Sequence, residues 1–193
     1  MIIMFLTYIS FMAGPTIAES PGNIGGTIPS IRSIDSVIMD DSMTNSFCTV
    51  IAVEDYNAGY KESADAATTV TVTANTAWEV TIAVGSPDGY FTISPTGSGN
   101  TPRPANHKPI SELLLKVNTI RKGTDTNATM PTIDGEWDGY TPLTYTAQNL
   151  VSCTSGNDSA NWDMQYKMML DTSKDTPGVY SCEITYRIQA ITD

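Results

Sequence analysis

The chain has 193 residues, of which 10 are basic and 21 are acidic, so its formal net charge is 10 minus 21, or -11. It has no run of Lys or Arg to contact phosphate groups, which argues against nucleic-acid binding. Because 40% of its residues are hydrophobic, a chain of this length can bury a core, and disorder throughout is excluded. It contains 27 Thr and 17 Ser, a composition that favours strands and turns.

The amino-terminal segment has the pattern of a secretory signal peptide. Residues 1–13 are apolar but too few for a membrane span, which needs about 20 residues, and Gly14-Pro15 ends the run. Thr16-Ile17-Ala18 offers small or tolerated residues to a signal peptidase, which predicts a signal at 1–18 cleaved after Ala18. The alternative is a buried strand or helix of the fold, because no basic side chain precedes Arg32. We expect a secreted or cell-surface protein without a stable membrane span.

The next segment, residues 19–41, is punctuated by Gly, Pro and Ser and is predicted to form an extended amino-terminal arm. Its apolar residues recur at spacings of three to four, at Ile24, Ile28, Ile31 and Ile34. Residues 42–193 are predicted to form one all-β domain, an antiparallel β-sandwich, because eight short strand-like segments are separated by turn-rich connections. Those segments are 47–53, 69–74, 77–84, 90–94, 113–117, 143–153, 162–170 and 179–191. One or two helical turns are predicted within 57–66.

Strict alternation of apolar and polar residues marks the strands that have one buried face. It is clearest at the carboxyl end, where Tyr180, Cys182, Ile184, Tyr186, Ile188 and Ala190 share one face. Trp78 and Trp162 fall on the apolar faces of two other predicted strands. We therefore expect both tryptophans in the core.

The segment Thr176-Pro177-Gly178-Val179-Tyr180-Ser181-Cys182 resembles the entry to a late strand in immunoglobulin-like sandwiches, including those of secreted bacterial surface and fimbrial proteins. Pro177-Gly178 also suits the central positions of a type II turn. The resemblance implies an immunoglobulin-like sandwich. Only 11 residues follow Cys182, so an ordinary strand after the cysteine-bearing one is expected to be missing.

A sandwich that ends one strand early leaves a groove with unpaired backbone, which the arm of a neighbouring subunit can fill by strand addition. We therefore expect the arm, through Ile24, Ile28, Ile31 and Ile34, to join copies of this chain into a homo-oligomer or filament. The alternative is that the arm pairs within its own subunit or is disordered. The predicted function is a structural subunit of an extracellular fibre, pilus or surface coat.

The turn Asp134-Gly135-Glu136-Trp137-Asp138-Gly139 resembles the opening of a calcium-binding loop. Alternate carboxylates on a tight turn can converge on one hard cation, which makes Asp134, Glu136 and Asp138 candidate calcium ligands. The twelfth position of such a loop is Tyr145 rather than a bidentate Glu. An acidic turn without metal is the alternative.

Trp137 and Tyr140 suggest a second function, because aromatic rings exposed in a turn can stack on a sugar. They are candidate ligand-binding residues of a secreted carbohydrate or cell-wall binding module. The alternative for Trp137 is an aromatic side chain packed in the core.

Three cysteines, Cys48, Cys153 and Cys182, allow one intramolecular disulfide in an exported chain. A bond between Cys153 and Cys182 closes the shorter loop and is the first expectation. A bond between Cys48 and Cys182, analogous to the inter-sheet bridge of immunoglobulin domains, is the alternative.

No catalytic motif is present, and the single histidine, His107, lies in a Pro-rich loop without recognisable partners. The protein is therefore not expected to be an enzyme. A secreted hydrolase is the third candidate function, after the fibre subunit and the carbohydrate-binding module. Asn127-Ala128-Thr129 and Asn157-Asp158-Ser159 match the acceptor sequence for N-glycosylation.

Overall fold

The computed structural model describes residues 3–4, 32–39, 52–85, 88–95, 108–125, 127–175 and 178–191. Within these ranges the chain forms thirteen strands, a helix α1 at Val53–Ala58 and a 3-10 turn at Ile110–Glu112. The strands are β1 Ile3–Met4, β2 Arg32–Met39, β3 Tyr60–Glu62, β4 Thr68–Ala74, β5 Trp78–Val84, β6 Thr92–Pro95, β7 Leu113–Arg121, β8 Thr132–Ile133, β9 Thr141–Pro142, β10 Gln148–Cys153, β11 Asn157–Met169, β12 Gly178–Ser181 and β13 Ile184–Ala190.

Two antiparallel sheets form the body of the domain. The larger sheet has six strands in the order β2-β4-β11-β7-β9, and its sixth strand, β3, also pairs with β11. The smaller sheet has four strands in the order β13-β5-β10-β8. A third sheet has the order β1-β12-β6, in which β1 runs parallel to β12. The predicted all-β antiparallel sandwich is confirmed.

The core lies between the two main sheets, where alternate residues of each strand meet. Val70 of β4 and Ile82 of β5 are completely buried. Trp78 stacks on Trp162, with 6.2 Å between ring centroids and 17° between ring planes. Because Trp78 belongs to the smaller sheet and Trp162 to the larger one, this pair joins the sheets. The prediction that both tryptophans are core residues is confirmed.

A pair of buried tyrosines adds a polar link between the sheets. The Tyr166 hydroxyl of β11 lies 3.1 Å from the Tyr186 hydroxyl of β13 and donates to Thr68 Oγ1 at 3.1 Å. Since each phenol has one proton, Tyr186 then donates to Tyr166. Burial raises the pKa of both tyrosines, so these hydroxyls stay neutral donors at every physiological pH.

The predicted last strand, 179–191, is divided at Cys182 into two strands. β12 pairs with β6 in the three-stranded sheet, whereas β13 pairs with β5 in the smaller main sheet. Tyr180, Ile184 and Tyr186 are all buried, so the predicted apolar face continues across the break. The chain changes sheets at Cys182, as strands do at the corners of sandwiches. The expectation that the sandwich ends without a strand after Cys182 is wrong, because β13 is that strand.

The predicted disulfide between Cys153 and Cys182 is also wrong, because both residues are free, buried thiols. Cys153 pairs with Trp78 at the first residue of β5, while Cys182 precedes β13, which begins opposite the last residue of β5. The length of β5 separates them by roughly 20 Å. A disulfide needs Cα atoms within about 7 Å. Burial raises the pKa of the Cys182 thiol to about 12, which keeps it protonated.

The helix α1 stands where the predicted strand 47–53 ends. Asp55 caps it, since its Oδ2 accepts a hydrogen bond from the Ala52 amide at 2.8 Å. Gly59 ends it with a φ of 78°, a left-handed conformation that glycine adopts without a Cβ clash. β3 follows at once, so the helical turns predicted within 57–66 lie several residues too far along the chain.

Several predicted features lie outside the described residues. They are the signal cleavage site at Ala18, the arm residues Ile24, Ile28 and Ile31, Cys48, His107, and the turn residues Thr176 and Pro177. Of the predicted signal segment only Ile3–Met4 is described, as β1. Export therefore stays a prediction, whereas the alternative pairing of Cys48 with Cys182 is also wrong, because Cys182 is a free thiol.

Candidate functional site

β2 forms one edge of the larger sheet, beside β4. It pairs antiparallel with the whole of β4, from Arg32 opposite Ala74 to Met39 opposite Thr68. The other side of β4 is paired with β11. β2 also comes within 8 Å, Cα to Cα, of β13, the edge strand of the smaller sheet. β2 therefore lies along the seam between the two sheets, and without it β4 has an unpaired edge.

A bulge in β2 fits its sequence to the two-residue period of β4. Ile34 is opposite Val72 and Val37 is opposite Val70, so three residues of β2 match two of β4. The register shifts between Ile34 and Ser36, which makes Asp35 the extra residue. Val70 and Val72 are completely buried. Apolar residues spaced by three are thus compatible with a strand at this edge.

Part of the predicted arm is therefore a strand of its own subunit. Residues 32–39, including Ile34, pair with β4 of the same chain, whereas the arm was expected to pair with a neighbour. The alternative of pairing within the subunit is the arrangement that this structure has for these residues. We call the space bordered by β4 and β13, which β2 occupies, the β2 groove, and we take it as the candidate site for strand addition.

One carboxylate, that of Asp163, links neighbouring strands on the outer face of the larger sheet, beside the β2 groove. Asp163 of β11 accepts hydrogen bonds from Thr69 of β4 at 2.7 Å and from Arg121 of β7 at 2.6 Å. Burial alone raises the pKa of Asp163, but the hydrogen bonds from Arg121 and Thr69 together outweigh it and lower the pKa below its ordinary value. This carboxylate therefore links three adjacent strands, β4, β11 and β7, and β2 pairs with the first of them.

Replacing Arg121 by glutamine removes its ion pair with Asp163. We expect the free energy of unfolding to fall by only about 1 kcal/mol at pH 7, because the Arg121 side chain is half exposed and water screens the pair. The folded state lowers the pKa of Asp163, so this stabilisation is fully present above the unfolded pKa of about 3.9 and is lost progressively as the pH falls through the lower folded pKa. Urea unfolding from pH 7 to pH 3 measures the effect. Arg187→Gln removes the same charge from an exposed position and is the control. An Arg121→Gln deficit that is equal at pH 7 and pH 3 contradicts the role of Asp163.

The acidic turn does not gather its three carboxylates. Asp134 Oδ1 accepts a hydrogen bond from Ser152 at 2.9 Å, whereas Glu136 and Asp138 are exposed. Gly135 has a φ of 60°, which explains the glycine in this turn. Among the residues that the structure describes, no group of three His, Cys, Asp or Glu side chains is placed to hold a metal ion. Calcium binding stays a prediction that only the sequence pattern carries.

The prediction of Trp137 as an exposed, sugar-stacking residue is wrong. Its side chain is only 3% exposed and belongs to the core. The indole N–H donates to the Asn149 carbonyl of β10 at 2.6 Å, and the Trp137 carbonyl accepts from Val117 of β7 at 2.7 Å. Trp137 therefore links β7 of the larger sheet to β10 of the smaller one.

Tyr140 lies in a different setting, on the outer face of the larger sheet. Lys167 Nζ is 5.0 Å from the centroid of the Tyr140 ring and 3.7 Å from that of Tyr60, and it pairs with Glu62 at 3.2 Å. Lys116 Nζ is 4.9 Å from the Tyr140 ring. Burial and the nearby Glu62 carboxylate raise the pKa of Tyr140. We call this set of side chains the tyrosine–lysine patch. Of this patch the sequence indicated only Tyr140, because its members come from four separate segments.

A buried lysine was also missed. Lys108 Nζ lies 2.8 Å from Asp175 and 2.7 Å from Glu112, and the Lys108 and Asp175 side chains are only 3% and 4% exposed. This pair ties the 3-10 turn before β7 to the connection between β11 and β12. Lys108 does not stand in an alternating apolar pattern, so nothing in the sequence indicates that this lysine is buried.

The two glycosylation sequons differ in accessibility. Asn157 is buried, its side-chain oxygen accepts from Gly123 at 2.9 Å, and its amide donates to the Thr129 carbonyl at 2.7 Å. Asn127 is exposed. The second sequon therefore has a structural role in holding the loop before β8.

No protein-family model matches this chain, and no curated protein matches it either. Within the described ranges, no helix has the length and apolar character that a membrane crossing requires. Function must therefore be inferred from the β2 groove and the tyrosine–lysine patch.

Proposed function

We propose that this protein is a secreted structural subunit of an extracellular fibre, pilus or surface coat, and that its copies assemble by strand addition. The observation that carries the proposal is the place of β2. It lies ahead of the other strands of the main sheets in the sequence, it occupies a sheet edge, and it completes the seam between β4 and β13. An edge strand at such a position is the element that strand-adding proteins supply to a neighbour.

The charge of the chain supports assembly through backbone hydrogen bonds rather than through complementary side chains. All acids and all bases lie after the proposed cleavage site, so the exported chain keeps the net charge of -11. Like-charged copies repel each other, and salt screens that repulsion. Strand pairing supplies hydrogen bonds that do not depend on side-chain charge. A calcium ion that drew together the carboxylates of Asp134, Glu136 and Asp138, which this structure does not bring together, would lower the repulsion further.

Sedimentation velocity of the concentrated full chain tests the proposal. Assembly is expected to increase from about 0.01 M to about 1 M salt, because the Debye length falls from roughly 30 Å to roughly 3 Å. It is expected to increase also with calcium at low salt, and negative-stain electron microscopy should show filaments. Asp138→Ala removes one exposed carboxylate and separates calcium binding at the turn from general screening. A protein that stays monomeric at every salt and calcium concentration contradicts the proposal.

The tyrosine–lysine patch favours the second candidate function, carbohydrate or cell-wall binding. Tyr60 is 37% exposed and Tyr140 lies beside it with two lysines, so a sugar ring and an anionic substituent can be held together there. Glycan-array binding of the full chain tests this function. Tyr60→Ala should abolish binding, whereas Tyr145→Ala, which removes an exposed tyrosine elsewhere, should not.

A further inference from the structure

We propose that the β2 groove takes β2 of a second copy of this chain, and that the chain's own β2 is the competing occupant that keeps a single subunit closed. This inference rests on the proposed function and adds two things to it: the strand that is exchanged and the element that inhibits the exchange. The donor is then residues 32–39, not the whole of residues 19–41.

The register of β2 defines which strand fits. Its backbone pairs with every residue of β4 only if one extra residue, Asp35, is accommodated between Ile34 and Ser36. A strand without that extra residue loses register over half of its length, because a slip by one residue reverses the faces of a strand. Every copy of this chain carries the same bulge. A second copy is therefore the partner whose strand matches the groove.

Exchange leaves the strand pairing unchanged. The β2 of another copy makes the same backbone pairs with β4 as the chain's own β2. The assembled form and the single subunit therefore differ little in these contacts. The balance is then set by protein concentration, by the connection between β2 and the domain, and by repulsion between copies. This explains how a chain whose groove is filled in the single subunit can still assemble.

The connection is long enough for exchange. Twelve residues, 40–51, separate β2 from the next described residue, Ala52. A chain of twelve residues reaches at most about 40 Å, whereas a domain of about 150 residues has a radius of gyration of roughly 15 Å. A strand on such a connection reaches the groove of an adjacent copy.

A reversible lock between β2 and β4 tests the inference in the full chain. Ser36 and Thr71 are Cα partners in the β2–β4 register, so a disulfide between Ser36→Cys and Thr71→Cys would join the two strands. Cys48→Ser in the same protein removes the cysteine outside the described residues. Oxidation at low protein concentration closes the lock within one chain, and reduction opens it.

The oxidised, locked protein is expected to stay monomeric by sedimentation velocity under the salt conditions in which its reduced form assembles. Ser36→Cys alone, with its thiol alkylated, should assemble in both conditions and controls for the oxidant. If the locked and reduced forms assemble equally, the inference is wrong while self-association stands. If neither form assembles, and the unsubstituted chain does not assemble either, the proposed function is wrong and the inference falls with it. If the unsubstituted chain assembles and the reduced variant does not, the experiment is repeated with Ser33→Cys and Thr73→Cys, which are also opposite each other in the register. If the reduced form of this second variant does not assemble, or if its locked form assembles equally, the inference is wrong.

Discussion

Replacing Trp162 by alanine is expected to lower the free energy of unfolding by about 3–5 kcal/mol, as truncations of buried tryptophans do. The residue is completely buried, and its ring stacks on Trp78 from the opposite sheet. The substitution therefore removes buried apolar area and the main aromatic contact between the sheets at one point. Thermal and urea unfolding, followed by circular dichroism, measure the change.

Two further variants sharpen this prediction. Tyr145 is 62% exposed, so Tyr145→Ala should change stability by no more than about 0.5 kcal/mol. Trp162→Phe keeps an aromatic ring and removes an indole N–H that has no hydrogen-bond partner, so it should cost clearly less than Trp162→Ala. Equal losses for Trp162→Ala and Tyr145→Ala would contradict the stacked core.

Replacing Asp175 by alanine is expected to destabilise the protein by about 3 kcal/mol, because removal of one partner of a buried ion pair leaves a buried charge less compensated. Lys108 keeps Glu112 as a second partner, which limits the loss. Asp175 Oδ2 also accepts the Asp171 amide at 3.0 Å, so a hydrogen bond within the connection from β11 to β12 is lost too.

Urea unfolding of Asp175→Ala measures this effect, with Asp138→Ala, at an exposed acid, as the charge-matched control. The double variant Lys108→Met with Asp175→Leu should recover part of the loss, because apolar residues of similar size can replace a buried pair. An Asp175→Ala protein as stable as the Asp138→Ala control would show that the pair does not stabilise the fold.

Alternating strands were the part of the fold most open to prediction. Trp78 and Trp162 lie in strands whose apolar residues repeat every two positions, and that pattern requires one buried face. Local pattern does not say where a strand changes partner. The alternation from Tyr180 to Ala190 is unbroken, yet the chain passes from one sheet to another at Cys182. The expected missing strand follows from that corner, whereas the disulfide was misassigned because Cys153 and Cys182 lie at opposite ends of β5.

The candidate sites were harder to predict because they depend on contacts between distant segments. Trp137 lies in a Gly- and Asp-rich turn, which suggests exposure, but the turn folds onto the core and buries the ring. Lys108 and Asp175 are 67 residues apart, and neither stands in a pattern that indicates burial. Ile34 and Val37 do not fit a regular strand, and only the bulge at Asp35 reconciles their spacing with β4.

The central claim, that β2 of one copy can occupy the β2 groove of another, is tested most directly by a mixed cross-link. One preparation carries Ser36→Cys and the other, labelled with heavy isotopes, carries Thr71→Cys, both with Cys48→Ser. These positions are opposite each other in β2 and β4, within reach of a disulfide when the strands pair. The preparations are mixed under assembling conditions, oxidised, and the dimers are identified by mass spectrometry.

Exchange of β2 predicts that disulfide-linked heterodimers of Ser36→Cys with Thr71→Cys form in proportion to assembly. Ser36→Cys mixed with Tyr145→Cys, at an exposed site outside the groove, measures random cross-linking. If assembled material yields no more of the first heterodimer than of the second, β2 is not exchanged between copies.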